Sequence, residues 1–197
     1  NRQPQAMKIL AGALTEAATV KVGDKSYNFS ALPAVGKEVE NLAKTVPNTT
    51  KLLGRDFTQN ETLERMSGYS ILHLATHAAF VTGKPEDSFI VFGNNERATF
   101  NDVEKWTLTN FDLVVLSTCE TGLGGKLGNG EEILGFGYFM QEAGARASIA
   151  SLWSVDDGVT QSFMHAFYRA LHTGNMTTTA AFRLAQLSLL TGLYTSL

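Results

Sequence analysis

Apolar and polar positions follow two different periods along the chain. Short apolar runs such as residues 112–117 (DLVVLS) recur, and many segments between them space apolar residues by three or four, as at Val39, Leu42 and Val46. An uninterrupted apolar run is typical of a strand buried on both faces, whereas the wider spacing is typical of the buried face of a helix. The pattern therefore predicts strands separated by helices.

The predicted elements begin with a strand and a hairpin. Apolar runs and turn residues predict strands at residues 7–14, 19–22, 25–29, 49–54, 69–76, 88–92, 112–117 and 146–153. Apolar faces predict helices at residues 36–46, 58–66 and 99–106. A fourth helix is predicted from about Asn129, with the apolar face Ile133, Phe136, Met140 and Ala143. Two more helices close the chain, one with the face Val159, Phe163, Phe167 and Leu171, the other with the face Ala181, Leu184, Ala185 and Leu189. Thr58 with Glu61 is predicted to form a capping box, and Thr99 with Asp102 opens the third helix.

Strands that alternate with helices predict right-handed crossovers and a mostly parallel sheet that is covered on both faces. The expected fold class is therefore a three-layer α/β domain. A chain of 197 residues is long enough for one well-buried domain, in which residues 1–30 add a strand and hairpin to the main body at 31–197. Ligands of such sheets bind beyond the carboxyl ends of the strands, here after Thr76, Ser117 and Trp153.

Composition excludes several classes of protein. The net charge is −3, from 16 basic and 19 acidic residues without a basic cluster, which is unlike a nucleic-acid-binding surface. No apolar segment is long enough to cross a membrane. A single cysteine cannot form an internal disulfide, which favours a reducing, cytoplasmic location. The chain starts at Asn1 without a signal-peptide pattern, so we expect it to be part of a longer polypeptide.

Two histidines four residues apart, His73 and His77, interrupt the apolar segment ILHLATHAAF. This spacing suits a metal when it lies on a helix, but the segment has a strand pattern and lacks the glutamate of the zinc motif. We expect neither a metal nor a cofactor. His73 is predicted to lie inside the sheet as a hydrogen-bonded core residue, and His77 to lie where the strand ends.

Cys119 repeats this placement, because it follows a buried run and precedes a glycine-rich stretch. If neighbouring parallel strands carry His77 and Cys119 at their ends, the histidine can take the thiol proton and the thiolate can attack a carbonyl carbon. Backbone N–H groups after each strand, those of Ala78 and Cys119, could then hold the oxyanion. An inert core cysteine is the alternative. Glu120, beside the thiol, would disfavour the thiolate by itself.

The other two strand ends carry weaker signals. The stretch GLGGKLGNGEE links a strand to a helix but matches neither nucleotide-binding fingerprint, because Leu127 stands where the third glycine would be. The segment SLWSVDD offers Asp156 and Asp157, of which one can cap the following helix and the other can face a pocket for a basic side chain. Trp153 is a candidate pocket wall or a core residue.

Four segments together resemble the CHAT domain: HLATHAAF, LVVLSTCETGLGG, GEEILGFGYFMQEAGA and SLWSVDD. This caspase-like cysteine peptidase family is related to caspases and separases, and the similarity runs from about Leu32 to Leu190. The resemblance implies a caspase-like αβα fold, a protein or peptide substrate, catalytic residues at His77 and Cys119, and TPR repeats on the same full-length chain.

The resemblance also concerns specificity. SLWSVDD is similar to the separase stretch in which an aspartate receives an arginine at P1, the substrate residue before the cleaved bond. This match implies Asp157, then Asp156, as the residue that binds a basic P1 side chain.

The chain departs from the family pattern in two respects. Ala78 stands where the family usually has glycine after the histidine. The family also continues into a final aromatic-containing strand, which is expected to be missing after Leu197. A catalytically silent scaffold that binds a partner protein is therefore the alternative to a peptidase.

Overall fold

The computed structural model describes residues 6–81, 84–122, 131–150 and 157–192, which form a sheet with helices on both faces. The strands are β1 (Ile9–Ala13), β2 (Ala18–Val22), β3 (Lys25–Phe29), β4 (Thr49–Leu53), β5 (Ile71–Phe80), β6 (Phe89–Val91), β7 (Arg97–Thr99), β8 (Leu113–Gly122) and β9 (Ser148–Ala150). The helices are α1 (Pro33–Thr45), α2 (Gln59–Arg65), α3 (Phe100–Val103), α4 (Glu131–Glu142), α5 (Asp157–His172) and α6 (Thr178–Thr191). The predicted three-layer α/β class is confirmed.

Five parallel strands form the body of the sheet in the order β4, β1, β5, β8 and β9. Strand β5 lies at the centre, and β8 accompanies one of its edges over the full length from Ile71 to Phe80. On the other edge β1 pairs with β5 only as far as Ala75. Beyond that point β6, which forms an antiparallel hairpin with β7, pairs with the same edge of β5 at Ala78 and Ala79.

The two central strands are longer than the sequence indicates. We predicted that the first would end near Thr76 and the second at Ser117, but they continue to Phe80 and Gly122. The physical reason is that pairing with β6 satisfies the backbone of β5 beyond the point where β1 stops. His77 and Cys119 therefore lie inside paired strands and not at their exits.

The two faces of the sheet carry separate apolar cores. On one face, Ile71, Ala75 and Val115 pack against α1, α5 and α6. On the other face, Leu72, Leu74 and Leu116 pack with aromatic residues of the remaining elements, such as Phe57, Phe100 and Phe136. Alternation along a strand thus places the odd-numbered residues from Ile71 to Ala75 in β5 and from Leu113 to Ser117 in β8 toward α1 and α5.

The helix ends follow the predicted capping signals only in part. Thr99 and Asp102 form a reciprocal capping box, but α3 ends at Val103 and not at Trp106. Thr58 caps α2 by accepting from the Glu61 N–H, whereas the Glu61 carboxylate binds Arg65 and does not complete the predicted box. Helix α1 begins at Pro33, three residues before the predicted start, because proline suits the first turn of a helix.

Some outward-facing positions also differ from the prediction. Leu184 and Val159 were assigned to buried helix faces, yet each is exposed. In α6 the buried positions are Ala181, Ala185 and Ser188, so small residues make the contact with α5. Within the described ranges, the helices are too short or too polar to cross a bilayer.

Candidate functional site

The register of the two central strands brings His77 and Cys119 together. Each residue of β5 from Ile71 to Phe80 pairs with one of β8, and His77 is the partner of Cys119. Neighbouring strands are about 4.8 Å apart, and residues in register occupy the same face of the sheet. Two residues separated by 42 positions in the chain are therefore immediate neighbours, as a dyad requires.

The hairpin of β2 and β3 supplies the surroundings of His77. Its imidazole is 98% buried, lies 5.2 Å from the Phe29 ring between centroids, and places Nε2 2.9 Å from the carbonyl oxygen of Ser30. A carbonyl oxygen only accepts hydrogen bonds, so Nε2 carries the hydrogen. In the neutral ring, Nδ1 is then the atom that can accept a proton.

His73 has a different environment, and its prediction as a core residue is confirmed. The imidazole is fully buried in the middle of β5, with Nδ1 2.9 Å from the hydroxyl oxygen of Tyr168 and Nε2 2.9 Å from Oε1 of Glu38. Four residues along a strand correspond to about 13 Å, so His73 and His77 cannot bind one metal ion. Among the described residues, no group of three side chains is arranged to hold a metal.

The backbone of the predicted oxyanion residues lies within the sheet. Ala78 pairs with Glu120 of β8 on one edge and with Ile90 of β6 on the other. The described pairing between β8 and β9 ends at Leu116, three residues before Cys119. The roles of the Ala78 and Cys119 N–H groups remain predictions.

The predicted substrate-binding residues are only partly within the described chain. Asp157 is the first residue of α5, and Glu120 belongs to β8. Trp153 and Asp156 lie outside the described residues, as does the glycine-rich segment 123–130. Whether one of the aspartates faces a substrate pocket thus stays a prediction.

Sequence reasoning missed several residues around the dyad. Ser30 acts through its carbonyl, which has no side-chain signature, and Phe29 appeared only as the end of a hairpin strand. On the face of the sheet that α1 covers, Ser117, two residues before Cys119, donates its Oγ hydrogen to Glu38 Oε2 at 3.2 Å. A charged residue on the buried face of α1 was a signal that could have been noticed, because Glu38 interrupts the apolar spacing next to Val39.

The paired positions of His77 and Cys119 are compatible with acid–base and nucleophilic chemistry. A thiol and an imidazole in register can exchange a proton, and the buried imidazole is held in one tautomer by a backbone carbonyl. Phe29 excludes water from one side of the ring.

The family model described as CHAT domain matches residues 2–195 of the 197-residue chain. A search of curated proteins found no match to the chain. The matched range includes β1 and the β2–β3 hairpin, so the family pattern extends further toward the N-terminus than the motifs indicate.

Proposed function

Since the chain belongs to the CHAT domain family, we propose that it is a cysteine endopeptidase that cleaves protein substrates with a dyad of His77 and Cys119. The family is caspase-like, which makes peptidase chemistry the first expectation. The observation that carries the proposal is the strand register that pairs the two residues.

The proposed reaction assigns each proton and bond to a group. Nδ1 of His77 takes the proton of the Cys119 thiol, because Nε2 is bound to Ser30. The thiolate attacks the substrate carbonyl carbon, a C–S bond forms, and the amide C–N bond breaks as the imidazolium protonates the leaving amine. Water then hydrolyses the thioester and restores the thiol. Backbone N–H groups of Ala78 and Cys119 are the proposed oxyanion donors, and that of Ala78 would have to leave its pairing within the sheet to act.

Replacing Cys119 by Ala tests the proposal directly. We expect Cys119→Ala to abolish cleavage of a peptide library, while the melting temperature stays within a few degrees of the wild type. Ser188→Ala is the matched control, because Ser188 is buried in α6 and bonds only within that helix among the described contacts. Cleavage by Cys119→Ala at the wild-type rate would contradict the proposal.

We further propose a preference for a basic P1 residue, with Asp157 as the first candidate for the specificity carboxylate and Asp156 as the second. Trp153 and Glu120 are the other proposed contacts. The support is the similarity of SLWSVDD to the corresponding separase stretch. The same library, varied at P1, compares arginine and lysine with apolar and acidic residues, and equal turnover of all four would refute the preference.

A catalytically silent scaffold is the second candidate. It is favoured by Ala78, which replaces the usual glycine, and by the burial of His77 beneath Phe29. Iodoacetamide distinguishes the two, because a dyad thiol should react faster in the wild type than in His77→Ala. Equal rates, together with no turnover of the library, would favour the scaffold.

A further inference from the structure

A buried polar cluster precedes the proposed dyad along β5 and β8, on the face of the sheet that α1 and α5 cover. Its members are Glu38, His73, Ser117 and Tyr168, and each is at least 95% buried. Burying such groups is unfavourable unless they satisfy one another, so a cluster of this kind requires an explanation. It connects four elements: α1, β5, β8 and α5.

Glu38 is the centre of the cluster. Its Oε2 accepts a hydrogen bond from Ser117 Oγ at 3.2 Å, and its Oε1 lies 2.9 Å from Nε2 of His73. The second contact is close, but the imidazole N–H is not directed along it, and neither atom has an aligned hydrogen bond within the described part of the chain. The serine bond is therefore the one with defined geometry, and the histidine contact is a close polar contact.

The Tyr168 hydroxyl closes the cluster on the side of α5. Burial, and then the charge of Glu38, raise the pKa of Tyr168 well above its ordinary value, so its hydrogen is retained. The hydroxyl can thus donate to Nδ1 of His73, 2.9 Å away, which leaves the hydrogen of His73 on Nε2, beside Glu38.

The cluster is not a ligand site. The cavity beside it, lined by Glu38, His73, Tyr168 and His165 among others, has a volume of about 10 Å³. A volume of this size holds a single water molecule at most. The cluster must therefore act on the protein itself.

The position of the cluster relative to His77 and Cys119 indicates how it acts on the protein. Ser117 precedes Cys119 by two residues and His73 precedes His77 by four, and alternation places all four residues on one face. Helix α1 also begins three residues after Ser30, whose carbonyl binds His77. One helix thus contacts both strands of the dyad and adjoins the residue that orients the imidazole.

We propose that Glu38 is a positioning residue of the active site: by accepting from Ser117 and lying against His73 it fixes α1 on β5 and β8, and with α1 the Ser30 carbonyl that orients His77 beside Cys119. This inference rests on the proposed dyad. Small displacements of reacting groups are costly in rate, about 10²-fold for 1 Å.

The sole cysteine makes the test specific. Because Cys119 is the only thiol of the chain, alkylation by iodoacetamide, followed by intact mass, reports on this residue alone. We expect Glu38→Met and Ser117→Ala each to slow alkylation by about tenfold and to lower kcat for the peptide library with little change in KM. Glu38→Gln keeps an oxygen for Ser117 and should stay within about threefold of the wild type.

Controls separate positioning from folding. Ser188→Ala removes a buried serine hydroxyl in α6 and should react at the wild-type rate. Ser117→Ala is the smallest change and is compared with the wild type at equal folded fraction, as measured by thermal melting. The double variant Glu38→Met with Ser117→Ala should be no slower than Glu38→Met alone, because Glu38→Met already removes the contact that Ser117→Ala removes.

The outcomes distinguish the two proposals. If His77→Ala slows alkylation but Glu38→Met and Ser117→Ala do not, the dyad stands and the positioning role is refuted. If His77→Ala reacts at the wild-type rate, the dyad is refuted and the positioning role falls with it. Equal slowing by Glu38→Gln and Glu38→Met would also contradict the role assigned to the oxygen that Ser117 contacts.

Discussion

The carbonyl of Ser30 decides which nitrogen of His77 can act as a base. Because Nε2 is bound to this oxygen, proton transfer is assigned to Nδ1, and no side chain is needed for the assignment. The Phe29 ring covers the imidazole beside this bond. The dipeptide Phe29–Ser30, just before α1, thus sets the tautomer of the His77 imidazole and excludes water from one side of the ring.

Removing the Tyr168 hydroxyl should destabilise the protein measurably. In Tyr168→Phe, Nδ1 of buried His73 loses its partner, which typically costs about 1–3 kcal/mol in the free energy of unfolding. Urea denaturation at neutral pH measures the difference. Tyr138→Phe is the matched control, because Tyr138 is 58% exposed and its variant should stay within about 0.5 kcal/mol. Equal stabilities of wild type and Tyr168→Phe would show that the hydroxyl contributes nothing.

The different environments of the two histidines were predictable, but their partners were not. Position within an apolar run was enough to assign His73 to the core. Its partners come from α1 and α5, which lie 35 residues before it and 95 residues after it. No local pattern specifies such contacts, since they depend on how two helices cross the sheet.

At the scale of elements, β5 shows why strand ends are difficult to predict. Its apolar run extends through Ala78 and Ala79, yet we predicted that the strand would end near Thr76. The strand continues because the short β6 pairs with these alanines once β1 has ended. Strands of three residues such as β7 leave almost no periodicity in the sequence, whereas α1, α5 and α6 were predictable from their spacing.

The capping box of α3 should make stability depend on pH. Burial opposes the charge of Asp102, but hydrogen bonds from Thr99 and the nearby Lys105 outweigh it and lower the pKa. A carboxyl whose pKa is lower in the folded state stabilises fully above its unfolded value of about 4, and this contribution is lost as pH falls further. Thr99→Ala should cost about 1 kcal/mol at pH 7 and less at pH 3.

The comparison at two pH values has an internal reference. Thr177 caps α6 by accepting from the Ala180 N–H, and no acidic residue lies in the first turn of that helix. Thr177→Ala should therefore cost a similar amount at pH 7 and pH 3. Urea denaturation of both variants gives the differences, and an undiminished cost of Thr99→Ala at pH 3 would argue against the role of Asp102.

At the scale of the whole molecule, two turns from distant parts of the chain meet without side chains between them. Gly93, in the turn between β6 and β7, donates its N–H to the Phe57 carbonyl at 2.8 Å. Its Cα faces the carbonyl of Gly54, in the turn after β4, so closely that a Cβ would overlap it. This contact joins the edge of the parallel sheet to the antiparallel hairpin.

Gly93→Ala should therefore be strongly destabilising, by about 3 kcal/mol, because the obstacle is backbone and cannot rotate away. Gly137→Ala is the control: the nearest obstacle there is the Ser148 hydroxyl, and alanine is favoured inside a helix such as α4. Thermal melting of both variants measures the effect. A Gly93→Ala protein as stable as Gly137→Ala would contradict the close contact.

The layered architecture followed from the alternation of strands and helices, but the place of the N-terminal segment within it did not. Residues 1–30 were expected to add a strand and hairpin to the main body. In the structure β1 lies between β4 and β5, in the middle of the parallel sheet. Hydrophobic periodicity identifies a strand but not its neighbours, because strand order depends on contacts distant in sequence.

This central location has a consequence for anyone who trims the protein to its recognisable motifs. A truncation that starts at Ala31 would delete β1, leave the inner edge of β5 bare and separate β4 from its only partner among the described strands. Bare inner edges are templates for intermolecular pairing, so such a fragment should aggregate. It would also remove Phe29 and Ser30, the residues that cover and orient the His77 imidazole.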